Sequence, residues 1–492
     1  MFTMNRPPDM TGPRAESVAA RWRLRLVLAG LMAAAFWLRL ADLGARPMHA
    51  DEANQAVQLA QLLETGHYAF AAGEHGPTLY YFGLLPAWLC GQTTLAALTE
   101  TTVRLTPALF GGAAVLLLFL LARPLGSGAA LGATALFAIS PPAVYYSRYF
   151  IQETLLLTFT LAALVCAYRW WQTGGRLWAA GAGACAGLMA STKATAPVLV
   201  AAALGGVLLG GRWRRLAELG RDRRTLAAAG GAALVVWLVF YTSFGANLPG
   251  WRDGLATYGA MLHRAVGGGT GHEKPWWYYG SLFVIQRRGG LVWDQTAFLL
   301  LAVVGAVVAW RRGGLARFVA GYAGITAVVW SLTPYKTPWL VLNLVPGLCL
   351  LAGVALARWR APVAVPLALA VGAWQGWQTR QAVFLRPADP RNPYAYVHTA
   401  PDLLKVPALA AAAPPGPVKV ISEEYWPLPW YLRARSEVGY WTLPPADCDG
   451  PLVIASAGQA EAVRARLHGS YREDFLGLRP GFVLVVFTPA GR

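Results

Sequence analysis

The fold class this sequence predicts is an α-helical polytopic membrane protein with a small C-terminal α/β extracytoplasmic domain. Three observations predict it. Of the 492 residues, 56% are hydrophobic and only 13% are charged, against about 25% charged in ordinary soluble domains. Apolar runs of the length that crosses a bilayer, roughly 17–25 residues, recur along most of the chain. The formal charge of +18 falls in short basic clusters between those runs. Clusters so placed encode topology, and they exclude a nucleic-acid partner as the reason for the charge.

Taken in order, the runs lie near 22–41, 104–122, 129–146, 154–171, 177–192, 194–211, 225–244, 291–310, 318–333, 338–357 and 361–378, about eleven spans by the length criterion. The first could pass for a signal peptide. Its trailing Arg39, and a sequence lacking a small-x-small cleavage site, favour a retained anchor. The positive-inside rule supports this parity. With the N-terminus and Arg21, Arg23 and Arg25 inside, the inside connections carry Arg123, then Arg169 and Arg176, then "RWRRLAELGRDRR", "WRRGGLAR" and "ARWR". The stretch "TLYYFGLLPAWLCG" is too short to span and reads as a juxtamembrane helix at the outer interface. The expected location is therefore the plasma or inner membrane, multi-pass, with the N-terminus cytoplasmic and the C-terminal region outside.

Two domains follow: a transmembrane domain over 1–378, with a first external loop over 42–103, and a soluble extracytoplasmic domain over 379–492. The latter is polar and proline-punctuated. Short β-like runs ("VKVIS", "PLVIAS", "FVLVVF") alternate there with helical patterns ("GQAEAVRARLHG"). The five cysteines form neither a zinc spacing nor a disulfide framework.

The outer face also collects the chemistry. Asp51 and Glu52 stand at the mouth of the first span, Glu74 lies in "GEHGPTLYYF", and Glu153 in "SRYFIQET". A carboxylate so placed can bind a divalent cation, take a proton from an acceptor, or recognise a sugar hydroxyl. Arg104, Arg148, Lys193, His272, Lys274 and Lys336 face the same way, against the topological bias, and a phosphate ligand would account for them. Structural roles compete with these. Asp51 with Glu52 could be an N-cap and first-turn acid of the amphipathic helix that follows. Glu153 with Arg148 could be an ion pair at a helix end. Trp276, Trp277, Tyr278 and Tyr279 fit an interfacial aromatic belt better than a sugar-stacking platform.

The order "HADEA", "EHGPTLYYF", "RLTPALFGGAAVLLLFLLARPLG", "SPPAVYYSRYFIQE" resembles the dolichyl-phosphate-mannose protein mannosyltransferase superfamily, membrane glycosyltransferases of the GT-C fold that include the lipid A aminoarabinose transferases. The later "HEKPWWYY", "TPYKTPWLVLNLVPGLCLLAG" and "NPYAYVHTAPDLLK" look like the narrower flippase-activity-associated subfamily. The resemblance implies an acidic residue of the first external loop as catalytic base or acceptor-binding group, which maps onto Asp51 with Glu52 beside it. A second acidic site maps onto Glu153, with Glu74 near it. Arg148, Lys193, His272 and Lys336 are the implied donor-phosphate ligands. Members differ in whether a divalent ion (Mg2+ or Mn2+) lies between two acidic loops. A divalent cation is thus neither required nor excluded by the resemblance, and Asp51 and Glu153 are the residues that would hold one. MIR modules of soluble type are absent from this sequence, and an α/β tail stands in their place.

The implied function is transfer of a hexosyl or pentosyl group from a polyprenyl-phosphate donor to a lipid, glycan or protein acceptor at the outer face. The alternative is a lipid-linked sugar transporter or flippase-associated protein without catalysis. Transporters usually place ionisable groups near the midplane and often carry internal repeats. Here those groups gather at one face, which favours the enzyme.

Overall fold

The computed structural model describes residues 18–211, 217–218, 220–266 and 271–490. Helix α1 (Val18–Leu40) leads into a loop carrying α2 (Ala50–Thr65) and α3 (Thr78–Leu89), and α4 (Glu100–Ala122) follows. Then come α5 (Ser127–Ala138), α6 (Pro141–Tyr146), α7 (Glu153–Thr173), α8 (Arg176–Ala190), α9 (Ala196–Leu209), α10 (Arg223–Tyr241) and α11 (Gly250–Val266). A short hairpin, β1 (Gln286–Arg288) and β2 (Leu291–Trp293), precedes α12 (Thr296–Arg312), α13 (Gly314–Leu332), α14 (Val345–Leu356) and α15 (Ala361–Arg380). By length and composition, five helical stretches among the described residues are apolar enough to cross a membrane: 100–125, 153–173, 223–241, 314–332 and 338–356.

The apolar runs become helices, with two corrections. The run at 129–146 is not one helix, because α5 ends at Ala138 and α6 starts at Pro141. Pro141 and Pro142 have no N–H to donate, and the preceding Ser140 is driven to an extended conformation. The run beginning at 291 opens as a strand, and its helix starts only at Thr296. Part of the basic stretch "RWRRLAELGRDRR" (212–216 and 219) lies outside the described residues.

Close helix contacts depend on small residues, as in other membrane bundles. A Cβ on Gly183 of α8 would lie 1.9 Å from the Ala229 carbonyl oxygen of α10, and one on Gly305 of α12 would lie 1.8 Å from that of Leu351 in α14. Helix α3 buries Leu79, Tyr80 and Ala87 while exposing Leu85, Trp88 and Leu89. It is a short helix with one apolar face outward.

The C-terminal region forms a mixed five-stranded sheet of β3 (Val418–Ile421), β4 (Val438–Trp441), β5 (Leu452–Ser456), β6 (Tyr471–Arg479) and β7 (Phe482–Pro489). Its strand order is β4-β3-β5-β7-β6. Strand β3 runs parallel to β4 and β5, and β7 is antiparallel to β5 and β6. This region docks on the loop before α2. The Met48 N–H donates to the Tyr431 hydroxyl at 2.8 Å, the Thr399 hydroxyl to the Met48 carbonyl at 2.6 Å, and the Trp430 indole to Glu100 at 2.6 Å. The sheet region and α2 therefore share one face of the helical body.

Candidate functional site

The site is built around the start of α2. His49 is the N-cap, in an extended conformation, and its Nδ1 accepts the Asp51 N–H at 3.1 Å. Because Nδ1 accepts, the ring proton sits on Nε2, which donates to the Tyr396 carbonyl at 3.0 Å. Asp51 is thus not the cap. It is the second residue of the first turn, its side chain 49% exposed, with Oδ2 3.8 Å from His49 Nδ1.

Glu52 points the other way and is fully shut from solvent. Its Oε1 accepts from Arg46 Nη2 (2.9 Å), Arg104 Nε (2.9 Å) and the Phe150 N–H (3.0 Å). Its Oε2 accepts from Arg46 Nη2 (2.9 Å), Arg104 Nη2 (3.0 Å) and the His49 N–H (3.1 Å). Burial alone would raise this carboxyl's pKa, but the two guanidiniums and the hydrogen bonds hold it down at about 2. No lone pair is left for an acceptor. Asp51 and Glu52, adjacent in sequence, therefore face different surroundings.

Two late loops bring His272, Tyr335 and Tyr396 within reach of the Asp51 charge. Glu273 and Tyr335 pair as an antiparallel bridge, the Lys274 N–H donates to the Pro334 carbonyl at 3.2 Å, and the Lys336 N–H to the His272 carbonyl at 3.0 Å. His272 Nδ1 lies 2.8 Å from the Tyr396 hydroxyl, and its ring packs on Tyr335 and Tyr396 with centroids 5.0 and 5.8 Å apart. Burial lowers the His272 pKa, with the Asp51 charge opposing the shift, so the ring is neutral at neutral pH. Burial, then the Asp51 charge, pushes the Tyr335 phenol up to about 12. Between Tyr396 and His398, Val397 holds a φ of +48°, an outlier for a β-branched residue of the kind stored at ligand sites.

A second charged pair stands at the start of α7. The Glu153 carboxylate bonds the Lys193 ammonium, and both side chains are nearly buried. The Glu153 charge reaches Tyr335 as well, so that tyrosine feels both acidic centres. His75 adjoins this pair: burial, then the Lys193 and Arg264 charges, lower its pKa to about 3. Its Nδ1 is buried with no hydrogen-bond partner among the described residues.

The remaining expected residues are placed as follows. Glu74 accepts the Tyr68 hydroxyl at 2.5 Å. Lys336 is buried, its Nζ donating to the Lys274 carbonyl at 3.1 Å and to that of Thr333, and desolvation lowers its pKa. Arg148 does not pair with Glu153. It closes the C-terminal end of α1, with Nη1 on the carbonyls of Leu38 (3.1 Å), Arg39 (3.3 Å) and Ala41 (2.5 Å) and Nη2 on that of Asp42 (3.1 Å). An arginine spent on helix-end carbonyls has few donors left for a phosphate. Trp276 and Trp277 are exposed, whereas Tyr279 is buried and donates to the Thr337 carbonyl at 3.1 Å.

Asp51 with Glu153 does not fit a divalent cation well, since the Lys193 ammonium already occupies the Glu153 carboxylate. Among the described residues, the metal-capable group of three or more is Asp447, Asp449 and His468 in the sheet region.

Sequence reasoning missed Arg46, His49, His75, Tyr335, Tyr396 and His398. Arg46 and His49 stand within six residues of Asp51 in "ARPMHADEA", and Tyr396 and His398 lie in "NPYAYVHTA", a stretch quoted for its family likeness. What hid them was the 347-residue separation of His49 and Tyr396.

Residues 83–241 match the family model described as dolichyl-phosphate-mannose-protein mannosyltransferase. No curated protein matches the chain. In structure the chain is similar to ArnT from Cupriavidus metallidurans bound to undecaprenyl phosphate (17% identity, TM-score 0.67, covering 95% of this chain and 98% of that one). It is also similar to the Archaeoglobus fulgidus oligosaccharyltransferase tethered to an acceptor peptide (14% identity, TM-score 0.52, covering 86% and 64%). A third likeness is to the arabinofuranosyltransferase AftD from Mycobacteria (14% identity, TM-score 0.51, covering 97% and 40%).

Proposed function

Because the chain has the GT-C fold of the membrane glycosyltransferases, we propose that it transfers a sugar from a polyprenyl-phosphate donor to an acceptor at the face of the membrane that carries α2. The observation that carries this reading is the split between the adjacent carboxylates: Glu52 is locked in a buried cage, and Asp51 is left half-exposed beside His272, Tyr335 and Tyr396. That is how a base is presented on a rigid support. ArnT, the structural neighbour of matching length, is bound to undecaprenyl phosphate, which supports a polyprenyl carrier here.

In this reading the acceptor hydroxyl gives its proton to the Asp51 carboxylate as its oxygen attacks the anomeric carbon. The bond from that carbon to the lipid phosphate breaks, the phosphate leaves with the electron pair, and the configuration inverts. A phosphate is a good leaving group, so charge neutralisation and positioning dominate over general acid help. Lys193 and Lys336 supply positive charge to the departing phosphate. His272, neutral at neutral pH, serves as a hydrogen-bonding group and not as a cation. No step is assigned to a metal.

Asp51→Asn tests the assignment. It removes charge and basicity at nearly constant shape, and it leaves the His49 cap in place. Transfer from a polyprenyl-phosphate sugar should fall about 10²–10⁴-fold, the range for a positioned acid–base group, with an unchanged melting temperature. Unchanged transfer would remove Asp51 from the chemistry. A chain that binds donor yet transfers nothing, in native and variant alike, would favour the flippase-associated reading.

A further inference from the structure

At the end of the bundle opposite Asp51, two cavities adjoin. One, of about 560 Å³, is lined by Arg123, Ser127, Arg169 and Gln172 among others. The second, of about 440 Å³, is an apolar trough with walls from α7, α8, α9 and α13, including Leu164, Ala186, Ala203, Leu204 and Phe318. Leu121, Tyr168 and Gln172 line both, so the polar chamber adjoins the trough. Arg169 lies sixteen positions along α7 from Glu153, about 24 Å at 1.5 Å per residue, which places the chamber at the far end of the bundle. We infer that this composite cavity binds an anionic phospholipid of the leaflet at that end, its phosphodiester in the arginine-lined chamber and an acyl chain in the trough.

Charge and shape together select the occupant. Arg169 is exposed, and its guanidinium lies 6.0 Å from the centre of the Trp178 ring. Arg123 donates to Ser127 at 2.7 Å and lies 5.9 Å from the Phe119 ring centre. Two guanidiniums with a hydroxyl and a carboxamide suit a phosphodiester. Trp170 and Trp171 line the trough at the same end, at the headgroup depth that indoles favour. Alanines at 163, 182, 186 and 203 keep the trough open, and its apolar walls offer a peptide nothing to pair its backbone with. The arginine-lined chamber is distant from the Asp51 centre, while the trough runs along α8 and α9 as far as Met189 and Leu199.

The test uses the purified full chain and counts retained lipids by native mass spectrometry after exposure to phosphatidylglycerol or phosphatidylcholine vesicles. The native chain should retain phosphatidylglycerol roughly ten-fold more readily, the ratio one charge-assisted contact supplies. Arg169→Gln should abolish that preference, and Arg169→Lys should keep most of it. Ala203→Trp should reduce retention of both lipids by filling the trough; if it does not fold, the milder Val207→Phe gives the same reading. Glycerol 3-phosphate alone should not compete. Equal retention of the two lipids, a preference indifferent to Arg169→Gln, retention indifferent to the trough variants, or full competition by glycerol 3-phosphate would each overturn the inference.

Discussion

Arg104 and Glu52 form a two-point ion pair, Nε to Oε1 at 2.9 Å and Nη2 to Oε2 at 3.0 Å, with both residues completely buried. The remaining Arg104 donors bind the carbonyls of Leu43 (2.7 Å) and Arg46 (2.9 Å) through Nη1 and that of Pro47 (3.2 Å) through Nη2. One arginine of α4 thus ties down the loop that delivers Asp51. Removing one partner of such a pair strands a buried charge and costs about 3–5 kcal/mol. Glu52→Gln should therefore lower the unfolding free energy by about that amount in detergent, and Glu52→Gln is no neutral control for Asp51→Asn. A melting curve unchanged in Glu52→Gln would refute the anchor role.

The same carboxyl sets an acid limit. Its folded pKa of about 2 lies below the ordinary 4.5, so the unfolded chain takes up the proton first as pH falls. The contribution is fully present above about pH 4.5 and is lost as pH drops toward 2, amounting to about 3 kcal/mol at 1.36 kcal/mol per pKa unit. Unfolding followed across that window should show the loss, and Glu52→Gln should flatten the slope.

Arg148 and Lys193 should part company when donor affinity is measured. Lys193→Met removes an ammonium beside Glu153 and should weaken binding of a polyprenyl-phosphate sugar about ten-fold or more, as expected of a charge-assisted contact. Arg148→Met should leave that affinity unchanged and lower the melting temperature, because four carbonyls at the end of α1 lose their donor. The reverse pattern would restore Arg148 as the phosphate ligand.

Orientation can be read by thiol labelling, though not at Cys448, which is buried. Cys90 is exposed at the end of α3 and should react with an impermeant maleimide from outside the cell. A cysteine introduced as Gln172→Cys, at the basic end, should react only after permeabilisation. Labelling of both from the same side would break the topology on which the shared face rests.

The sequence by itself determined the helical membrane architecture, since a segment placed in lipid must satisfy its own backbone and be apolar over about 20 residues. It also led to the expectation that Asp51, Glu153, Lys193, His272 and Lys336 gather at one face, because alternating spans leave only two faces on which to put them. Where an apolar run ceased to be one helix, at Pro141 or before Thr296, hydrophobicity was silent, since strand and helix bury the same residues. Which of two neighbouring carboxylates stays accessible was a tertiary decision. Residues of a helix that follow one another point about 100° apart, and only the arrival of Arg46, Arg104 and the Phe150 N–H around Glu52 turned one acid into an anchor and left Asp51 facing His272, Tyr335 and Tyr396. Those partners come from segments as distant as that of Tyr396, 347 residues from His49, and no local pattern carries that distance.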